Sequence, residues 1–467
     1  MLNEWLEMGK LAKDQGIKIE EIFSMGKKSG VWRTFFRQLT SFNTIEDLKK
    51  IISKKLSSGK SCEICGKRGA RPLPKYLFPF IIDAERFPNL YPSASSKSKF
   101  YVCEECSQNL LYGYSCLFWY IDGKNERFIG ILPFSEEKEL LSAFIKRVIE
   151  DREIIESGGS TNIAFLKGLK DQQTLAFKFS YPYEFGFYLL YYLRKKLQLG
   201  EEWYEKEDML KKFFSSLKLF IIRIDNAFRS RSIFQELSQV FVGSEHWNLL
   251  AKIEEIEEGD KNFLLNLYLY TRKYLTFKKE GNPQSDLFIR ECFFREVMKR
   301  RKIEGELLEE LLIYNLTEGG KTSEVEKSRI QKQRVKKQAE VLNWYEPIFS
   351  KVIFKFLKEY YNCMGMTSEK EILEIAEKEG WELGKKLLKV EANDKDKVKA
   401  YIYELRRARS ISDFMEKLNE LQLRCEAKIS LEFINLTLTH REKFKEWKAY
   451  FLIGMANSIV EGEKNEG

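Results

Sequence analysis

Two short cysteine pairs, Cys62-Glu-Ile-Cys65 and Cys103-Glu-Glu-Cys106, carry the clearest chemistry in this chain. A C-x-x-C pair turns two thiolates toward one point on a tight knuckle, and two such pairs complete a tetrahedral four-thiolate site. Gly66 directly follows Cys65, where a knuckle often needs a positive φ that only glycine adopts cheaply. The spacing therefore predicts one zinc ion held by Cys62, Cys65, Cys103 and Cys106. Four thiolates leave no open position for water, so the ion is expected to be structural and not catalytic. The competing reading is chance pairing or a redox C-x-x-C. Two pairs in a chain of eight cysteines argue against it. Cys116, Cys292, Cys363 and Cys425 are scattered and read as ordinary buried thiols.

Other chemistry is conspicuous by its scarcity. The 467 residues contain two histidines, His246 and His440, too few for multi-histidine zinc sites, HNH-type nucleases or most Cys/His hydrolases. The chain has no Walker A loop, no G-x-S-x-G, no H-E-x-x-H and no kinase loop. Asp225, after an apolar strand-like run, is a lone acidic candidate with no partner spacing. The expectation is a protein without catalytic activity of its own. Its rival is a zinc-ribbon enzyme, a nuclease or transposase-like protein, whose carboxylates would assemble from distant segments. A third reading is an assembly factor whose zinc domain docks protein.

Lys and Arg number 79 against 70 Asp and Glu, a net charge of +9 that excludes a bulk polycation but not a locally basic groove. Basic residues concentrate around the cysteines: Lys67, Arg68, Arg71 and Lys75 after the first pair, Lys97 and Lys99 before the second. Tyr76, Phe78, Phe80, Phe87, Tyr91, Phe100 and Tyr101 interleave with them. Basic plus aromatic side chains suit phosphate contact and base stacking, while the bland alternative is a solvated zinc domain with a small aromatic core. Lys299, Arg300, Arg301 and Lys302 form a second block, residues 327–337 a third, and Lys395–Arg409 a fourth. In the fourth, Lys399 and Arg406 lie two turns apart on one face. Acidic residues lie in or near each block, so a solvated face competes with phosphate tracking.

These residues need elements to position them. Residues 1–58 read as helical, with Leu2, Leu6 and Met8 on a stripe and Thr44 with Asp47 in a loose capping box. Residues 59–109 form a Cys/Pro/Gly/Ser-rich insert. Strand-like runs occupy Arg127–Phe134 and Ser216–Ile224, and Pro182–Leu199 is a helix. Tyr183, Phe185, Tyr188 and Tyr192 on it read as core before stacking platform. Residues 226–317 read as mostly helical. Beyond Thr322, helices follow one another: Val325–Trp344, one carrying Val352, Phe356 and Tyr360, one opened by Ser368 and Glu371, Lys395–Arg409, Ser410–Glu426, and a last one opened by Thr439 and Glu442. The expected class is α+β: a mainly helical multidomain protein, with an inserted four-cysteine zinc knuckle at about 59–109 within a domain 1–321. A C-terminal α-helical bundle spans 322–467. The N-terminus lacks the pattern of a signal peptide, and the longest apolar stretch, Leu110–Ile121, is too short to span a bilayer, so a cytoplasmic protein without membrane contact is expected.

The paired knuckles, the segment Pro88-Asn-Leu-Tyr-Pro92 and the C-terminal Trp447-Lys-Ala-Tyr-Phe-Leu-Ile-Gly-Met455 together resemble the CXXC-CXXC CRISPR-associated proteins, the large subunits of type I-A and I-B Cascade complexes. The cysteine pairs are the specific part of that resemblance, and organisation supplies the rest. The resemblance implies a non-catalytic subunit of an RNA-guided surveillance complex, at the 5′-handle end of the guide RNA. It would recognise the protospacer-adjacent motif on target DNA, help open the duplex and recruit a helicase-nuclease in trans. Backbone, 5′-handle and small subunits would be its partners. The helical C-terminus would resemble the small subunit, with Met364 or Met366 as an internal start for a separate copy. No motif-reading loop can be matched to the family, so chemistry alone nominates Asn162, with Ser160 and Thr161, and Asn282 and Gln284, with Lys279.

Overall fold

A computed structural model of the chain describes residues 2–18, 50, 53, 59–72, 101–122, 127–146, 152–157, 161–166, 179, 181–198, 207–225, 233–260, 263–264, 267, 286–318 and 349–461. The protein is mainly helical with two sheets, and it divides into two compact units, Met1–Ser244 and Glu245–Gly467. The expected junction at 321/322 lies outside the described residues, as do the Thr44/Asp47 box, the Val325–Trp344 helix and the 327–337 basic block.

The first unit opens with α1 (Leu2–Asp14), whose Trp5, Leu6, Met8 and Ala12 are buried. Strands β1 (Arg71–Pro72) and β2 (Tyr101–Val102) form a small antiparallel ribbon, and α2 (Glu104–Gly113) follows. Trp5 Nε1 donates to the Leu110 carbonyl at 2.8 Å, and its ring meets Tyr114 edge-on at 5.2 Å. The apolar stretch Leu110–Ile121 is thus three things in succession: the end of α2, a 3₁₀ turn at Tyr114–Cys116, and a strand. That strand is β3 (Phe118–Asp122), followed by β4 (Arg127–Ser135), α3 (Lys138–Phe144), β5 (Arg152–Ser157), β6 (Thr161–Leu166), α4 (Pro182–Gln198), α5 (Glu207–Ser216), β7 (Leu217–Asp225) and β8 (Ile233–Phe241).

The strands form one antiparallel sheet in the order β5-β6-β3-β4-β7-β8. The two strand-like runs of the sequence are neighbours in it, in register from Phe128↔Ile224 to Ser135↔Leu217. Pro133 is tolerated in this inner strand because β3 stops pairing at Ile131, so its missing N–H faces no ladder partner on that side. Helix α4 crosses the sheet and is buried around its whole circumference, Tyr183 and Phe185 through Leu193 included. Its aromatics are core, as read from the sequence, though on every face and not one. The described residues of 226–317 are mostly helical, as expected, and Ile233–Phe241 is a strand the sequence reading did not single out. Its Gln, Glu and Leu favour either state, and pairing with β7 decides for strand, with a bulge after Arg223.

The second unit is helical among its described residues: α6 (Ser244–Gly259), α7 (Asp286–Met298), α8 (Gly305–Glu318), α9 (Phe349–Cys363), α10 (Thr367–Val390), α11 (Lys395–Arg406), α12 (Ile411–Cys425), α13 (Leu431–Thr439) and α14 (Phe444–Glu461). Helix α14 is the hub. Its residues from Trp447 to Ile459 are buried nearly throughout, and α8, α9, α10 and α11 all pack on it. Asp394, Ser410 and Ser430 cap α11, α12 and α13 by accepting from backbone N–H groups of the first turns. The Ser368/Glu371 box does not form. Met366 holds the cap position, Gly365 turns the chain at φ +68°, and the Ser368 hydroxyl accepts from Lys443 Nζ instead. Thr439 likewise ends α13 and does not cap α14, because a 3₁₀ turn at Arg441–Lys443 intervenes.

No helix among the described residues is long and apolar enough to cross a membrane.

Candidate metal centre and basic clusters

The first cysteine pair sits on a closed knuckle. The Gly66 N–H donates to the Cys62 carbonyl and the Cys62 N–H to the Lys67 carbonyl, both at 2.8 Å. Gly66 takes φ +76° and Gly69 φ +85°, the left-handed turns a β-carbon would strain. Ser61 and Arg68 bridge antiparallel, and the ribbon pairs Arg71 with Val102. That ribbon delivers Cys103 to the end of α2. There its Sγ caps the helix, accepting from the Cys106 N–H at 3.5 Å. The second pair therefore occupies a helix N-terminus, where the partial positive charge favours thiolate.

All four Sγ atoms lie within 4.8 Å of one another, with Cys65 and Cys103 at 3.5 Å. Tetrahedral metal–sulfur bonds of ~2.3 Å place sulfurs ~3.8 Å apart, so this cluster fits one metal ion with little adjustment. Cys62, Cys103 and Cys106 are buried and Cys65 is exposed. Burial pushes the Cys62 thiol up, but the N–H groups of Cys65, Cys103 and Ile64 outweigh it and bring it down to about 7. Burial raises Cys103 and Cys106, and the neighbouring sulfurs add to the rise of Cys106. The Cys62 thiolate forms readily, while Cys103 and Cys106 favour the thiol until a cation balances their charge.

Glu63, unremarked in the sequence, ties the two halves together. Its N–H donates to the Tyr101 carbonyl at 2.9 Å and its carboxylate accepts the Tyr101 N–H at 3.0 Å. The signal was its place inside the first C-x-x-C. Lys67 forms an ion pair with Glu105 across the two knuckles. Arg68 is exposed, whereas Arg71 is only 6 % exposed, paired in the ribbon with Val102. Lys75, Lys97, Lys99, Asn282 and Gln284 lie outside the described residues. Asn162 lies in β6 opposite Ile121 and Glu156, in the sheet and not in a loop.

Residues 299–302 form the turn between α7 and α8. Arg300, at φ +54°, pairs with Glu245 at 2.9 Å, and Lys302 with Glu446 at 2.9 Å and Glu369 at 3.7 Å. The Arg301 carbonyl accepts the Tyr360 hydroxyl at 2.6 Å, while its side chain is exposed. Lys399 pairs with Asp396 at 3.2 Å, and the carbonyl of Arg406 accepts from Lys448 Nζ at 3.1 Å. Much of the basic character read as phosphate-facing is thus committed to carboxylates of the same unit.

The histidines are structural. His246 is buried, its Nε2 3.3 Å from the Val297 carbonyl, and burial with the charge of Arg300 lowers it to about 4. His440 ends α13, where its carbonyl accepts from Trp447 Nε1 at 3.2 Å.

No protein-family model matches the chain, and no curated protein matches it in sequence.

Proposed function

We propose that the protein is a non-catalytic, zinc-containing large subunit of a CRISPR RNA-guided surveillance complex, contacting guide RNA and target DNA. The observation that carries this reading is the four-cysteine cluster, two C-x-x-C knuckles far apart in sequence whose sulfurs converge on one point. A full set of thiolates suits a structural zinc, and the exposed Arg68 on its rim suits a phosphate backbone. In this reading the knuckle is an insert at about 59–109, and 322–467 is a small-subunit-like bundle, also made from Met364 or Met366. The chain reads the protospacer-adjacent motif and leaves cleavage to a recruited helicase-nuclease.

The test is purification of the tagged chain from its native cells. Recovery with a guide RNA and with backbone, 5′-handle and small subunits is the expected result. Recovery alone, free of RNA, overturns the reading. Metal-dependent DNA cleavage by the purified chain by itself would favour the zinc-ribbon enzyme instead.

A further inference from the structure

Of the eight cysteines, Cys65 alone is exposed. Its three partners at the metal centre, Cys62, Cys103 and Cys106, are 3 %, 6 % and 7 % exposed. Cys116 and Cys425 are buried, and Cys292 and Cys363 are half-buried. A thiol-directed reagent therefore meets this chain first at a metal ligand. The Cys65 sulfur lies 3.5 Å from that of Cys103, which belongs to the other pair. A disulfide needs ~2.05 Å, so these two sulfurs have only ~1.5 Å to close.

That closeness does not depend on a bound ion. Glu63 bonds to the Tyr101 backbone through both its N–H and its carboxylate. The Lys67–Glu105 ion pair crosses between the knuckles, and the ribbon pairs Arg71 with Val102. Protein atoms alone thus keep Cys65 and Cys103 within reach of each other. Susceptibility to oxidation follows thiolate character and exposure, and a second cysteine nearby resolves the first product. A disulfide across the knuckles would consume two of the four ligands. Cys62 and Cys106 by themselves leave a zinc site half empty, so the ion would depart. The new bond would meanwhile join the two halves. A disulfide within either C-x-x-C would also empty the site but leave the halves joined by the weaker ties alone.

We propose that the centre is a thiol switch, in which a peroxide converts Cys65 and Cys103 to a disulfide across the two knuckles and so releases the metal. The Cys65 thiolate attacks one peroxide oxygen, the O–O bond breaks, and the departing hydroxide takes up a proton to become water. The Cys103 thiolate then attacks the sulfenic sulfur of Cys65. The S–O bond breaks, and the second hydroxide likewise leaves as water. Two thiolates, one hydrogen peroxide and two protons give one disulfide and two waters. The sulfurs lose the two electrons that the peroxide gains. A small thiol restores the reduced pair by exchange. The inference rests on the metal centre of the proposed function and not on its nucleic-acid partners.

The experiment treats the full, metal-loaded chain with hydrogen peroxide. A chromogenic chelator reads released zinc, and mass spectrometry of peptides maps the disulfides. Release of about one zinc per chain is expected, together with a peptide linked through Cys65 and Cys103. Dithiothreitol and zinc should reverse both. The oxidised chain should also keep more hydrogen-exchange protection in the ribbon than reduced chain stripped of metal by a chelator. Cys65→His retains four ligands, since three cysteines and a histidine also hold zinc, and removes the exposed sulfur. Its zinc release should be lost at the dose that empties the wild type. Cys292→Ala with Cys363→Ala should release zinc as the wild type does. A disulfide within either C-x-x-C, release without any disulfide, or zinc retained by the wild type under peroxide overturns the inference and leaves the proposed function standing. If Cys65→His holds no zinc, the wild-type peptide map decides alone. A wild-type chain purified without metal overturns the inference and the zinc of the proposed function together, and RNA in the native purification then decides the rest of that function.

Discussion

Replacing Gly454 by alanine sets two opposing effects against each other at one atom. Helix propensity favours alanine over glycine in a helix interior by ~1 kcal/mol, so a solvent-facing site would gain. At Gly454 a β-carbon would lie 1.9 Å from the Glu377 carbonyl oxygen, 2.8 Å from its carbon and 2.9 Å from the Trp381 nitrogen. All three are backbone atoms of α10, so no side chain can swing aside. Restoring ordinary contact requires α10 and α14 to part by ~1.5 Å locally, and a gap of even ~0.5–1 Å forfeits a quarter to a half of the dispersion well. Leu373, Leu383 and Leu387 on α10 and Phe451 and Met455 on α14 are 0–4 % exposed and would all lose contact. Overpacking by one methylene costs ~1–3 kcal/mol, and an immovable backbone places this case at or above the upper end. Net of propensity, the expected loss is ~3 kcal/mol. At ~2–4 °C per kcal/mol for a unit of this size, that lowers Tm by ~6–12 °C. Gly259, at the end of α6, is the control: nothing lies within 4 Å of its added β-carbon, so Gly259→Ala should leave Tm equal or slightly raised. Urea and thermal unfolding followed by circular dichroism measure both. A Gly454→Ala protein as stable as wild type would refute the close-approach argument.

Elemental analysis should find about one zinc per chain, and Cys106→Ser should lose it together with hydrogen-exchange protection of 59–72 and 101–113, since structural zinc supplies folding energy directly. Lys448, 7 % exposed, pairs with the equally buried Glu309 at 3.0 Å and donates to the Arg406 and Ala408 carbonyls. Lys448→Met should destabilise by ~3–5 kcal/mol in urea, and adding Glu309→Leu should recover much of that, because the cost is a stranded charge. Glu391 is held at about 2 by the Tyr401 hydroxyl first, then by Lys397 and Arg424. A depressed carboxylate stabilises above its unfolded pKa of about 4.5, and that contribution disappears as pH falls from there toward 2. Glu391→Gln should therefore flatten the dependence of Tm on pH in that window, and an unchanged pH profile would remove Glu391 as the anchor of α11 and α12.

The metal ligands were legible because their signal is local: two short spacings and a glycine. Strands β4 and β7 were legible because contiguous branched and aromatic runs leave a helix little advantage. Leu110–Ile121 was not, since an apolar run gives no period to separate a helix end from a buried strand. The basic blocks misled for a different reason. Whether Lys302 is free to meet a phosphate depends on Glu369 and Glu446, remote in sequence and brought near only by packing against α14. Ser368 shows the limit of cap spacing, since Gly365 turns the chain so that the helix begins at Thr367 and Ser368 lies inside its first turn.

The ribbon that pairs Pro72 with Tyr101 also ties the metal centre to the path of the chain. It makes the chain leave and re-enter the metal centre at adjacent points, with the four sulfurs as a clasp. The arrangement of the sulfurs therefore depends on the ribbon and the four cysteines, whatever the distance in sequence between the two pairs.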